Sequence, residues 1–169
     1  MSENTVREKF IKIRKMCDRL EEAGVDQYGF YPPVTEADIH RWEEKNNAKL
    51  PDGLKEWYLC SDGADITSFQ LYPLNRLSAD TVIGGYRGYY PVGSYIGDGA
   101  MLVADKEGNL YTADHGDINK SDFSGFLDWY LIDFLADELY TYCGDEYESE
   151  TKQAYNEAIK NAFLKVIGR

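Results

Sequence analysis

Only three cysteines occur in the 169 residues, Cys17, Cys60 and Cys143. They are odd in number, far apart and without a CxxC pair, so neither a disulfide framework nor a thiolate metal site is expected. Histidine is scarcer still, with His40 and His115 alone, too few to complete a structural zinc site. Each Cys reads as a small apolar residue packed inside the fold. Basic residues are outnumbered, 18 Lys and Arg against 30 Asp and Glu, leaving a formal net charge of −12. A nucleic-acid-binding face needs clustered cations, which this balance does not supply, and an anionic membrane surface would repel the chain. No apolar run approaches the roughly 18 residues of a membrane span. The opening Met1 to Thr5 lacks the charged-then-apolar order of a secretory signal. A cytoplasmic protein without metal or other cofactor is the expectation.

What is present suffices for a core. Hydrophobic residues make up 43% of the chain and include 14 Tyr and 7 Phe, so it is not a disordered polyanion. The length suggests one domain over residues 1–169. Thr5 and Glu8 form a capping box, followed by Val6, Phe10, Ile13, Cys17 and Leu20 at helical spacing, which predicts a helix over 5–23. Its polar face carries Arg7, Lys9, Lys12, Arg14, Lys15 and Arg19. Residues 1–25 hold six basic and five acidic side chains, so the acidity lies in the rest of the chain. After Pro32-Pro33, Thr35 and Asp38 cap a second helix that presents Ile39 and Trp42 and ends near Asn46-Asn47. Pro51 suits the first turn of a third helix marked by Leu54, Trp57 and Tyr58, with Gly63 as its stop.

From Ile66 to about Asp114 helical spacing gives way to Gly, Pro, Tyr and β-branched residues, which predicts strands. Residues 100–105 and 109–113 flank a turn at Gly108 and read as an antiparallel hairpin. Phe69–Tyr72 and Gly93–Gly97 are further strands, whereas Gly84, Gly85 and Gly88 among Tyr86, Tyr89 and Tyr90 suggest a mobile loop. Helical spacing returns in Leu127, Tyr130, Leu131, Phe134 and Leu135, a stripe that must pack on the sheet. A last helix is expected over 151–167. Between them, Asp137 to Glu150 holds six carboxylates and no basic residue.

This order of features resembles the SMI1/KNR4 family, or SUKH superfamily, over about residues 33–139. The resemblance is carried by Pro33-Val34-Thr35-Glu36 with Ile39, by Leu50-Pro51 before the aromatic Trp57-Tyr58, and by Asp62-Gly63. It continues through Ile96-Gly97-Asp98-Gly99, Asp105-Lys106-Glu107-Gly108 and Phe126-Leu127. The resemblance implies an α+β domain, a mainly antiparallel sheet of four to six strands flanked by helices, with the helices 5–23 and 151–167 as additions. It also implies no catalytic residues and, for bacterial members, an immunity protein that binds and neutralises a toxin, often a nuclease. Fungal members are regulatory scaffolds.

The residues offer little for catalysis. Cys60 with His40 or His115 stands in no recognisable nucleophile context. Asp114, Asp117, Asn119 and Asp122 superficially suggest a calcium loop, but the glycine comes too early and no Glu stands at the twelfth position. Gly84-Gly85-Tyr86-Arg87-Gly88 lacks the spacing of a phosphate cradle. The acidic surplus is more informative where it is interleaved with Tyr140, Tyr142 and Tyr147, because tyrosine is a preferred interface residue. A nuclease presents cations to its substrate, and an anionic partner could cover that surface. The partner expected is therefore a basic cognate toxin. The expected contacts are Asp62, Asp98, Asp117, Asp145, Glu146, Tyr147 and Glu148, with Tyr86, Tyr89 and Tyr90 as aromatic anchors. A regulatory interaction scaffold is the alternative reading, and a hydrolase using Cys60 or the carboxylates is a second.

Overall fold

The computed structural model describes residues 5–97 and 99–145, together with 157, 158, 160–162, 164, 165 and 168. The expected last helix over 151–167 lies largely outside the described residues. Helix α1 (Val6–Glu22) starts at Thr5, whose hydroxyl accepts from the Glu8 N–H while the Glu8 carboxylate accepts from the Thr5 N–H. Helix α2 (Glu36–Asn46) begins with the same reciprocal arrangement between Thr35 and Asp38. Both capping boxes satisfy N–H groups that a helix start otherwise leaves unpaired. Helix α3 (Asp52–Tyr58) follows Pro51 and ends at Leu59, before Gly63 is reached.

Seven strands form one sheet, β1 (Gly29–Phe30), β2 (Ala64–Ile66), β3 (Phe69–Leu71), β4 (Tyr90–Ser94), β5 (Met101–Ala104), β6 (Leu110–Asp114) and β7 (Asp117–Ser121). They lie in the order of the chain and every pairing is antiparallel. The α+β class agrees with the sequence, but the strand count exceeds the expected four to six. Three strands, β1, β2 and β7, match none of the four segments named from the sequence. β1 has only two residues and β2 three, and β7 has a mostly exposed sequence with no apolar alternation to announce it. The hairpin over 100–113 is present as β5 and β6.

Two glycines hold the middle of the sheet together by what they lack. Gly63 has φ +90° and a side-chain carbon there would sit 2.5 Å from the Leu71 carbonyl oxygen; at Gly93 it would sit 2.6 Å from that of Gln70. Neither position has room for a larger residue.

A final helical run covers one face of the sheet, from α4 (Phe123–Phe126) through a π-helical stretch (Leu127–Ile132) into α5 (Asp133–Cys143). Helix α1 packs against this run and against α3. Rings link the layers: Phe10 meets Trp57 at 5.0 Å, Trp57 meets Phe123 at 5.7 Å, and Phe126 meets Phe69 at 5.6 Å and Tyr95 at 5.2 Å. Such pairs add to the burial of their large apolar areas. One cation is drawn into the seam. Lys9 is only 7% exposed, and its ammonium donates to Asp128 at 2.6 Å and to the Ser124 hydroxyl at 2.7 Å.

The opposite face of the sheet carries a smaller cluster. Val103 and Ala113 are fully buried yet stand apart from the main core. Here Tyr89 packs edge-on against Tyr111, the cross-strand partner of Val103, with ring centroids 4.9 Å apart.

Candidate functional site

The groups that could carry chemistry are held apart. Cys17 is buried in α1, and burial, with Glu21 and Asp18 adding to it against Arg14, pushes its thiol up to about 12. Cys60 lies in an open groove with Arg7, Phe10, Ile11, Glu56 and Leu59, and no histidine lines that groove. Burial raises its thiol too, with Arg7 opposing and Glu56 reinforcing. Both cysteines are therefore thiols at neutral pH, the unreactive form. His40 lines a different groove, beside Glu43, Lys49 and Lys106. Residues 114–121 run from the end of β6 through β7, with Asp114 paired to Asp117 across a turn at His115-Gly116, and Asp122 caps α4 by accepting from the Gly125 N–H. Among the described residues no three His, Cys, Asp or Glu side chains are placed to hold a metal ion.

The expected contact residues fall into separate places. Tyr86 and Tyr89 clasp their loop to the sheet: the Tyr86 hydroxyl accepts from the Gly116 N–H at 2.9 Å, and Tyr89 stacks edge-on against Tyr111. Asp117, exposed at the start of β7, stands beside Gly116, so these three residues share one end of the molecule. Tyr90 does not join them. It opens β4, is fully buried, and packs its ring 5.8 Å from that of Trp42, so it is a core residue with no surface to offer a partner. Asp62 is half-buried and accepts from the Leu74 N–H at 2.8 Å, a bond that fixes the short 3₁₀ turn Leu74–Arg76. Asp145 is half-buried and paired with Arg19 of α1 at 3.1 Å. Asp98, Glu146, Tyr147 and Glu148 lie outside the described residues.

A surface that the residue pattern did not single out forms around Tyr130. Its hydroxyl accepts from the Ile96 N–H at 3.1 Å and lies 3.5 Å from the Ser68 hydroxyl, so two turns of the sheet converge on the π-helical stretch. Both turns carry a β-branched residue in the left-handed region, Thr67 at φ +56° and Ile96 at φ +57°. That conformation is costly for branched side chains, and costly backbone collects at functional surfaces. Trp129, within the π-helical stretch, is 45% exposed and Ile96 is 43% exposed. The one legible signal was that Trp129 falls off the apolar stripe formed by Leu127, Tyr130, Leu131, Phe134 and Leu135, which foretells an outward-facing indole.

Charge reinforces the distinction. From Ser121 to Glu150 the sequence has nine carboxylates and no basic side chain, against a net charge of −12 for the whole chain. No curated protein shows significant similarity to the chain. The family model for the SMI1/KNR4 family, SUKH-1, matches residues 33–145. That span runs from the entry into α2 to the end of α5 and takes in both the strained turns and the acidic helical run, and so the chain belongs to the SMI1/KNR4 family.

Proposed function

We propose that this protein is a non-enzymatic immunity protein, which binds and neutralises a cognate toxin domain of basic character, such as a nuclease, through an acidic, tyrosine-bearing surface. The observation that carries the reading is the family match combined with thirty residues, 121–150, that hold only carboxylates as charged groups. Bacterial members of the family act in toxin immunity, and an anionic surface accelerates encounter with a cationic one. Binding is the mechanism. The Cys17 and Cys60 thiols are raised and no histidine lines the groove of Cys60, which supports a role without covalent chemistry. Among the described residues no helix is long and apolar enough to cross a membrane.

The test is co-expression with the toxin domain encoded beside the gene. Protection of the host, and a complex that weakens as salt rises, are the expected results. Absence of both at low salt would remove the reading. The alternative, a regulatory scaffold, would be favoured by stable capture of a protein unrelated to any toxin.

A further inference from the structure

We infer that the ridge formed by Trp129, Asp133, Asp137 and Tyr140, with Ile96 beside it, is the docking surface for a cationic protein whose contact face has an apolar centre. This rests on the proposed toxin-binding role and adds where the partner sits and what its face is made of.

Residues three or four apart share one side of a helix, so positions 129, 133, 137 and 140 form a continuous line along the final helical run. Trp129 and Tyr140 are exposed, 45% and 64%, with the half-buried Asp133 and the exposed Asp137 between them. Exposed tryptophan is unusual in this molecule: Trp42 is 7% exposed and Trp57 is fully buried. The indole is also held in place. Its ring centroid lies 5.5 Å from Phe126, 5.7 Å from Tyr130 and 6.1 Å from Tyr95, each at a steep interplanar angle. A large aromatic fixed before contact loses little entropy on binding and makes an effective anchor.

Three uncommon backbone features meet at this point, the π-helical stretch and the left-handed Thr67 and Ile96. A π-helical insertion re-aims side chains and is frequent at functional sites, and the two strained turns hold Ile96 beside the Trp129 cluster through Tyr130. Charge then chooses the occupant. Nucleic acid and anionic lipid are repelled, and a second copy would bring a like-charged ridge from another molecule of net charge −12 against this one. A cationic protein with an apolar centre matches both the carboxylates and the indole.

The test uses the full chain and two probes. The first is the toxin domain encoded beside the gene, with capture read by surface plasmon resonance at low and physiological salt. The second is a synthetic octapeptide with two central leucines flanked by three basic residues on each side, read by tryptophan emission. Trp129→Ala should weaken toxin capture by about 30-fold or more, with circular dichroism unchanged. Ile96→Gly, which relieves the left-handed strain, should keep or raise the melting temperature yet weaken capture about tenfold. The octapeptide should shift the emission of the wild type to the blue and leave that of Trp129→Phe unmoved. Wild-type capture that Trp129→Ala does not weaken, or that only Tyr86→Ala and Asp117→Asn weaken, overturns this surface and leaves the immunity role standing. A dimer that Trp129→Ala disperses overturns the choice of partner. A wild type that captures no toxin domain overturns the immunity role and this inference together.

Discussion

Helix α1 and the helical run over residues 123–143 lie side by side, yet their charges are arranged in opposite ways. The first 25 residues mix six basic with five acidic groups, while the run has four carboxylates and no cation of its own. Where the two helices touch, α1 supplies the missing charge: Lys9 reaches Asp128 and Ser124, and Arg19 reaches Asp145 just beyond the end of the run. One carboxylate, that of Asp128, is tied to the buried ammonium of Lys9 and serves cohesion, whereas Asp133 and Asp137 lie between the exposed Trp129 and Tyr140. The same residue type holds the seam together and, under the proposed docking, meets the partner on the ridge.

Substitutions can break or sharpen that contrast, and they rank by burial. Leu20→Ala empties a fully buried position on the inner face of α1 and should cost about 3 kcal/mol. A thermal melt should show this as a fall of roughly 6 to 12 °C. Lys9→Met removes the enclosed cation and leaves Asp128 and Ser124 without it, for a loss of about 2 kcal/mol in urea titration. A Lys9→Met variant as stable as wild type would show that the seam needs no charge. Outside both helices, Asp105 sets a scale for a carboxylate held by hydrogen bonds. Burial raises it, but the Asn109 backbone and side-chain amide, the Tyr111 hydroxyl and the Glu107 N–H outweigh burial and hold it below the usual carboxylate range. A lowered value means that its contribution is present at neutral pH and fades as pH falls through the ordinary carboxylate range to that lowered value. Asp105→Asn should therefore cost about 1 kcal/mol at pH 7 and less at pH 3. The smallest effect belongs to Arg19→Gln. Its pair with Asp145 is open to water, and its removal should shift stability by under about 0.5 kcal/mol.

How much of this was legible follows from how local each signal is. Thr5 with Glu8 and Thr35 with Asp38 announce their helices because the capping bonds span only three residues. The turn at Gly108 announces the β5–β6 hairpin for the same reason. β7 was not legible, because an edge strand facing solvent needs no apolar alternation, and Asp117–Ser121 has Ile118 as its one large apolar residue. Tyr90 was read as a loop anchor from its glycine-rich neighbours. Its fate is set instead by pairing with Ala104 and by packing on Trp42, 48 positions away in sequence. The site suffered the same limit. The acidic, tyrosine-bearing character of the last third of the chain could be read directly, but the meeting of Thr67, Ile96 and Trp129 around Tyr130 depends on three segments whose separation in sequence hides it.

Because each strand pairs with the one that follows it in the chain, the seven-stranded sheet can be assembled as a succession of neighbouring hairpins, with short loops to close at most steps. Helix α1 is divided between near and distant partners. Its contact with α3, through Phe10 and Trp57, joins segments 47 positions apart, whereas its bond from Lys9 to Asp128 spans 119 residues. During synthesis, therefore, the side of α1 that faces the final helical run is covered only once the last third of the chain has been made.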